Sequence, residues 1–119
     1  LQPSYDLGYN VVTMDEFKKR GIDDVMQETL DKIGDNPIYI TFDLDSLDAS
    51  VAPAVSNIEP SFTGFTIDEA KALIQSVKNK NVIGGDVVCL MPTKDQKNNI
   101  TSMVAASIMF EIISVIAYK

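Results

Sequence analysis

Residues 37–48 read Pro-Ile-Tyr-Ile-Thr-Phe-Asp-Leu-Asp-Ser-Leu-Asp, an apolar, β-rich run that ends abruptly in three carboxylates. This stretch constrains the fold more than any other, because it predicts a buried strand that delivers Asp43, Asp45 and Asp48 to a rim. Side chains at i and i+2 of an extended segment share a face, so Asp43 and Asp45 are expected to converge if the strand persists to the second of them. Two carboxylates about 4 to 5 Å apart repel by roughly 3 to 4 kcal/mol at an effective dielectric near 20, which asks for a cation or a shared proton.

The remaining composition narrows the chemistry. With 10 basic and 17 acidic residues the net charge is -7, and no Lys/Arg run interrupts it, so nucleic acid and anionic membrane are not expected partners. Cys89 is the one cysteine, which excludes an internal disulfide and fits a reducing, cytoplasmic setting. Histidine is absent, removing the commonest general base and transition-metal ligand and leaving hard oxygen donors as the only real metal chemistry expected of this chain. The chain begins at Leu1 with no targeting segment and is expected to be a piece of a longer one.

Taken in order, residues 1–8 read as a loop or as the tail of an element that began upstream, and Tyr9 to Thr13 as a short strand. Thr13 and Glu16 have capping-box spacing, and Phe17, Ile22, Val25, Met26, Leu30 and Ile33 form a helical stripe broken at Gly21 and closed by Gly34. A strand follows from Ile38 to about Asp43. The connection from Asp45 to Phe65 contains Pro53, Pro60 and Gly64, yet Val51, Val55, Ile58, Phe62 and Phe65 argue that it is packed. Thr66 and Glu69 repeat the capping-box spacing for a helix expected to end near Lys80. Val82 to about Leu90 reads as a strand and Met91 to Asn99 as a polar loop. Ile100 to Ala117 reads as an apolar helix, too short and too interrupted for a membrane span, packed and open to burial on two sides, with Met91 and Met103 in the core. Strands alternating with helices predict an α/β fold with a mainly parallel sheet, whose ligands sit beyond the carboxyl ends of the strands. Asp43 to Asp48 and Asp86 to Pro92 both fall near such ends.

Each candidate residue also has a plain structural reading. Asp43, Asp45 and Asp48 could cap a turn at the strand end, and Asp48 in particular could brace the loop. Cys89, at the end of a buried strand, could be packing; as a nucleophile it lacks any histidine partner in this chain.

Phe42-Asp-Leu-Asp-Ser-Leu-Asp48, Val51-Ala-Pro-Ala-Val-Ser56, Glu59-Pro60 and Gly64-Phe-Thr66 together resemble the C-terminal signature of the ureohydrolase superfamily, which includes arginase, agmatinase and formiminoglutamase. Tyr9-Asn-Val-Val-Thr-Met-Asp-Glu16 and Gly85-Asp-Val-Val-Cys-Leu-Met-Pro92 resemble the segments that flank it. The resemblance implies that residues 1–119 are the C-terminal part of one three-layer αβα domain with a mainly parallel, arginase-like sheet. It implies a manganese hydrolase with two ions per complete site, Asp43 and Asp45 being the last two carboxylate ligands and Asp48 the brace of the loop. The two ions, about 3.5 to 4 Å apart, would activate water against a guanidino or amidino carbon.

Asn57 and Cys89 would lie at the substrate pocket. The family's remaining His and Asp ligands lie upstream, so this chain alone would be inactive and would need the upstream half of the fold, in a trimer or hexamer. Cys89 stands where guanidinium hydrolases place a glutamate, Ala49 replaces a proline, and Ala54 replaces a glycine whose conformation an alanine would adopt only at a cost. Two other readings remain open. One is a catalytically degenerate assembly subunit. The other is a haloacid-dehalogenase-type phosphatase, whose Asp-x-Asp motif wants Thr or Val where this chain has Leu47.

Overall fold

The structure is a computed structural model that describes residues 1–59 and 63–118. The expected roles of Pro60 and Phe62 in packing the long connection therefore lie outside the described residues. Two compact units make up the chain, Leu1–Gly34 and Asp35–Lys119.

In the first unit the opening segment, read as a loop or the tail of an element, is a short helix, α1 (Gln2–Asp6). Pro3 sits in its first turn, where a missing N–H costs nothing, and the Gln2 side-chain amide donates to Asp6 at 2.8 Å. The strand expected over residues 9–13 is not formed. Thr13 is extended (φ -73°, ψ 159°), but an extended segment becomes a strand only when a neighbour accepts and donates its backbone hydrogen bonds, and none of the described strands pairs with it. Helix α2 (Met14–Arg20) begins as expected, with the Thr13 hydroxyl accepting the Glu16 N–H at 3.2 Å. Gly21, at φ 81°, ends it and starts α3 (Ile22–Ile33), which Gly34 closes. Arg20 ties the two helices together through Glu16, Asp24 and Glu28.

In the second unit β1 (Ile38–Asp43) pairs in parallel with β2 (Val82–Val88), in register from Tyr39 opposite Gly84 to Asp43 opposite Val88. Strand β2 stops at Val88 rather than Leu90 because Cys89 turns into the left-handed region at φ 73°. Helix α4 (Ile67–Gln75) opens with the full capping box. The Thr66 hydroxyl accepts the Glu69 N–H at 3.1 Å, and the Glu69 carboxylate accepts the Thr66 N–H at 2.9 Å. It ends at Gln75, and turns carry the chain on to Lys80.

Helix α5 (Ile100–Ala117) has the expected bounds and packs on β2 and α4. Only one stripe of it is buried (Thr101, Ile108, Ile112, Val115), so burial on two sides is not observed. Met103, expected in the core, is 61% exposed, and Phe110 is 68% exposed. Ser102, Ser107, Glu111 and Ser114 are too few and too scattered to mark a polar face that tells which side packs, which is why the pattern overstated its burial. Among the described residues α5 is the one helix long and apolar enough to cross a membrane, so length does not exclude a span; its buried stripe against the sheet is what marks it as packed.

Gly85 explains how α5 approaches so closely. A Cβ there would lie 2.7 Å from Ile112 Cγ2 and 2.8 Å from the Ile40 carbonyl oxygen, closer than such atoms approach. The substitution Gly85→Ala is expected to destabilise the protein by roughly 1 to 3 kcal/mol through overpacking, despite the entropy it removes from the unfolded chain. Urea unfolding of the complete polypeptide checks this, and a midpoint at or above the parent's would contradict it.

Candidate metal centre

Asp43 closes β1 with extended geometry (φ -89°, ψ 123°) and at once caps a single 3-10 turn, Leu44–Ser46. The strand therefore does not persist to Asp45 as the i, i+2 argument requires. The two acids come together through the turn instead: Asp43 Oδ1 accepts the Asp45 N–H at 3.1 Å, and the Ser46 hydroxyl donates to the Asp43 carbonyl at 2.6 Å. Leu44, fully buried, and Leu47 anchor the turn from below, leaving Asp43 and Asp45 half-buried at its rim.

The sheet register brings in the third member. Asp43 lies opposite Val88, so Cys89 is the next residue beyond the paired strand end, and its left-handed backbone turns the chain there. One oxygen of Asp43, one of Asp45 and the Cys89 Sγ all lie within 4.8 Å of one another. Burial pushes the Asp45 carboxyl above the usual carboxylate range, and a hydrogen bond with Asp43 and the charges of Asp43 and Glu59 push it further. The Cys89 thiol is likewise raised, first by its hydrogen bond to Asp43, then by burial, then by the charges of Asp43 and Asp45. Such a cluster favours a cation. Donors about 2.0 to 2.3 Å from one ion stand up to about 4.5 Å apart, and the cluster is compact enough to meet that requirement with little adjustment. The residues present therefore fit a divalent metal.

The long connection is ordered where it is described, and backbone hydrogen bonds close it. Phe65 pairs with Leu47: the Asp48 N–H donates to the Phe65 carbonyl and the Phe65 N–H to the Ser46 carbonyl, each at 2.9 Å. Gly64 packs against this junction, where a Cβ would lie 2.4 Å from the Asp48 nitrogen. Asp48 Oδ1 accepts from the Ser50 N–H at 2.9 Å and the Ser50 hydroxyl at 2.6 Å, so its carboxylate faces the loop and does not join the cluster of Asp43, Asp45 and Cys89. Further along, Val55 pairs with Leu90, and the Met91 N–H donates to the Ala54 carbonyl at 2.9 Å. Ala54 is buried and is not among the positive-φ residues, so the backbone cost expected of an alanine there does not arise. Asn57 is exposed on a bend.

Three polar residues near these loops were not legible as such. Thr101 is wholly buried and accepts the Ala54 N–H at 3.1 Å, tying the loop to α5. Its signal is a hydroxyl inside an otherwise apolar helical run. Asp95 caps α5 from outside it, accepting the N–H groups of Thr101 (3.1 Å) and Ser102 (2.8 Å) and the Ser102 hydroxyl (2.6 Å). These contacts, that of the Ser102 hydroxyl foremost, hold its carboxyl down at about 2. Its distance from the helix start hides it, since a cap is sought at the residue just before the helix, which is Asn99. Asp86 lies within β2 opposite Thr41, where it accepts from the Thr41 and Tyr39 hydroxyls at 2.7 and 2.8 Å, so it serves the sheet rather than the rim.

Comparison with known proteins places the sequence and the fold among relatives. The sequence model of the Arginase family matches residues 2–114. An agmatinase from Enterobacter sp. (strain 638) is 36% identical over 114 residues, covering 96% of this chain and 36% of the relative. The fold superimposes on proclavaminate amidino hydrolase from Streptomyces clavuligerus with a TM-score of 0.90 at 31% identity, covering 98% of this chain and 39% of that one. Formimidoylglutamase from Bacillus subtilis gives 0.85 at 28% identity, covering 96% and 36%. The chain thus spans little more than a third of the length of the curated relatives it matches.

The Asp95 cap carries a pH signature. A carboxyl depressed on folding stabilises the fold above its unfolded pKa, near 3.9, and that contribution is lost as pH falls through the folded value of about 2. Asp95→Asn is therefore expected to lower the thermal midpoint at pH 7, and the gap between the two proteins to narrow as pH falls below about 4. A gap that stayed constant across that window would contradict the charged cap.

Proposed function

The chain belongs to the arginase family, and from that premise we propose that the complete protein hydrolyses a linear guanidino or amidino C–N bond, using two manganese ions held in part by Asp43 and Asp45. The observation that carries this reading is the convergence of those two carboxylates, through the turn after β1, into one compact donor cluster. The names of the relatives, an agmatinase, an amidino hydrolase and a formimidoylglutamase, support the bond class.

When bound, the ions would lower the pKa of water and so supply a hydroxide-like nucleophile at neutral pH. This chain's residues do the positioning. The Asp45 N–H fixes the Asp43 carboxylate, and the buried Leu44 and Leu47 hold the turn in place beneath both. Asp48 braces the start of the loop after the turn through Ser50, and Cys89 and Asn57 are the residues of this chain expected at the substrate. A thiol at Cys89 offers no two-oxygen fork to a guanidinium, which favours a substrate recognised in some other way than arginine is.

Because the chain contains no histidine, the other ligands come from the rest of the complete polypeptide. Exposed Tyr39, Ile83, Met103 and Phe110 support a fold in which further protein, including other subunits of an oligomer, covers this unit. A reducing cytoplasm suits its free thiol.

Manganese content and affinity of the complete polypeptide, measured beside those of Asp43→Ala, test the reading. The variant is expected to lose more affinity than the roughly 10- to 100-fold that follows loss of a ligand's outer neighbour, and to lose hydrolysis with it. Equal metal binding in both proteins would refute the ligand assignment. In a substrate screen of guanidino acids, agmatine-like amines and formimino compounds, turnover of at least one is expected. Firm metal binding with no turnover would favour an assembly subunit that kept the site and lost the activity.

A further inference from the structure

The donor cluster contains an atom that the carboxylate reading leaves unused. We infer that Cys89 is itself a ligand, its Sγ joining one oxygen each of Asp43 and Asp45 around one cation and biasing that position toward zinc or cobalt over manganese. The inference rests on the reading that Asp43 and Asp45 hold metal, and adds to it a donor and a preference.

The placement of the sulfur follows from the backbone and not from a free side-chain swing. Val88 is paired to Asp43 on one side of Cys89, and Leu90 is paired to Val55 on the other. The Met91 N–H, donating to the Ala54 carbonyl at 2.9 Å, holds the segment beyond. Between these two fixed points the residue sits at φ 73°, an uncommon conformation for a side chain with a Cβ. Its Sγ lies within 4.8 Å of an oxygen of each acid, so the three donors need only a small contraction to reach one ion. A cysteine that merely filled the core would be buried, as Ala52, Ala54 and Val55 are; Cys89 is half-exposed and faces the acids.

The chemistry then sets the metal. The thiol binds as thiolate, its proton passing to solvent as the sulfur–metal bond forms. Divalent affinities already rise from manganese through cobalt, with zinc above manganese, and a thiolate widens that gap because it is a softer donor than carboxylate. One ion of the pair, in contact with Cys89, would be the softer, while an all-oxygen or nitrogen position elsewhere in the complete site keeps its ordinary preference.

Cobalt reports the ligand directly. The complete polypeptide, stripped by chelator and titrated with Co2+, is expected to show a sulfur-to-cobalt charge-transfer band in the near ultraviolet as well as the visible bands of bound cobalt. In Cys89→Ser the ultraviolet band should vanish while the visible bands remain, and competition should show zinc affinity falling about tenfold or more beyond any fall for manganese. Cys89→Asp, which restores an oxygen donor, should bind cobalt without the ultraviolet band and keeps the test sound if the serine variant folds poorly. Bound cobalt without a charge-transfer band in the parent protein would overturn the role of Cys89 and leave the carboxylates as ligands. Unchanged cobalt uptake in Asp43→Asn would instead overturn the underlying reading.

Discussion

The parallel register of β1 against β2 is the constraint on which the second unit depends. With Asp43 opposite Val88, the last residue of one strand and the first residue beyond the other are neighbours, and a carboxylate and a thiol 46 positions apart in sequence meet at one rim. A shift of one residue would turn the side chains of β1 to the opposite face, taking Phe42 out of the core and Asp43 away from Cys89 at once. The register is held by packing: Gly85, opposite Ile40, leaves the space into which Ile112 of α5 fits. The helix thus protects the alignment that makes the site.

The long connection over the strand ends depends on the same arrangement. Its entry and exit are joined backbone to backbone, Asp48 to Phe65 and Phe65 to Ser46, with Gly64 permitting the approach. Its middle is pinned to the residues after β2 through Val55 and Leu90, and to α5 through Ala54 and the Thr101 hydroxyl. Loops that carry function are commonly fixed this way by a rigid scaffold, so that little ordering is left to be done when a ligand arrives. Asp95 extends the logic, since by capping α5 from a preceding turn it fixes the end of the helix that presents Thr101.

How much of this could be read from the sequence follows from how local each signal is. The acid-terminated strand, both Thr caps, the bend at Gly21 and the bounds of the last helix were legible, because each rests on neighbours within four residues. The convergence of Asp43 and Asp45 was also foreseen, but for the wrong local reason: a strand was expected to align them, and an Asx-type turn does. Strand formation over residues 9–13 and the exposed side of α5 were not legible, since both depend on what lies alongside, and neither a pairing partner nor a packing face is written in the local pattern. Asp95 and Thr101 were missed because their partners lie beyond that window, six residues away for one and 47 for the other.

Charge is the last consideration that joins the site to the whole chain. The charges that act on Asp45 from nearby, those of Asp43 and Glu59, are both anionic. At about 4 Å and an effective dielectric near 20, the Asp43–Asp45 pair costs on the order of 4 kcal/mol if both groups ionise, a large fraction of the stability of a modest domain. Without a cation the cluster relieves this by holding protons, and the raised Asp45 and Cys89 show that direction. Leu44 and Leu47, buried beneath the turn, hold the two carboxylates at that rim. In the metal-bound protein proposed above, a divalent ion would take the place of those protons, and relief of the repulsion between Asp43 and Asp45 would add to its affinity.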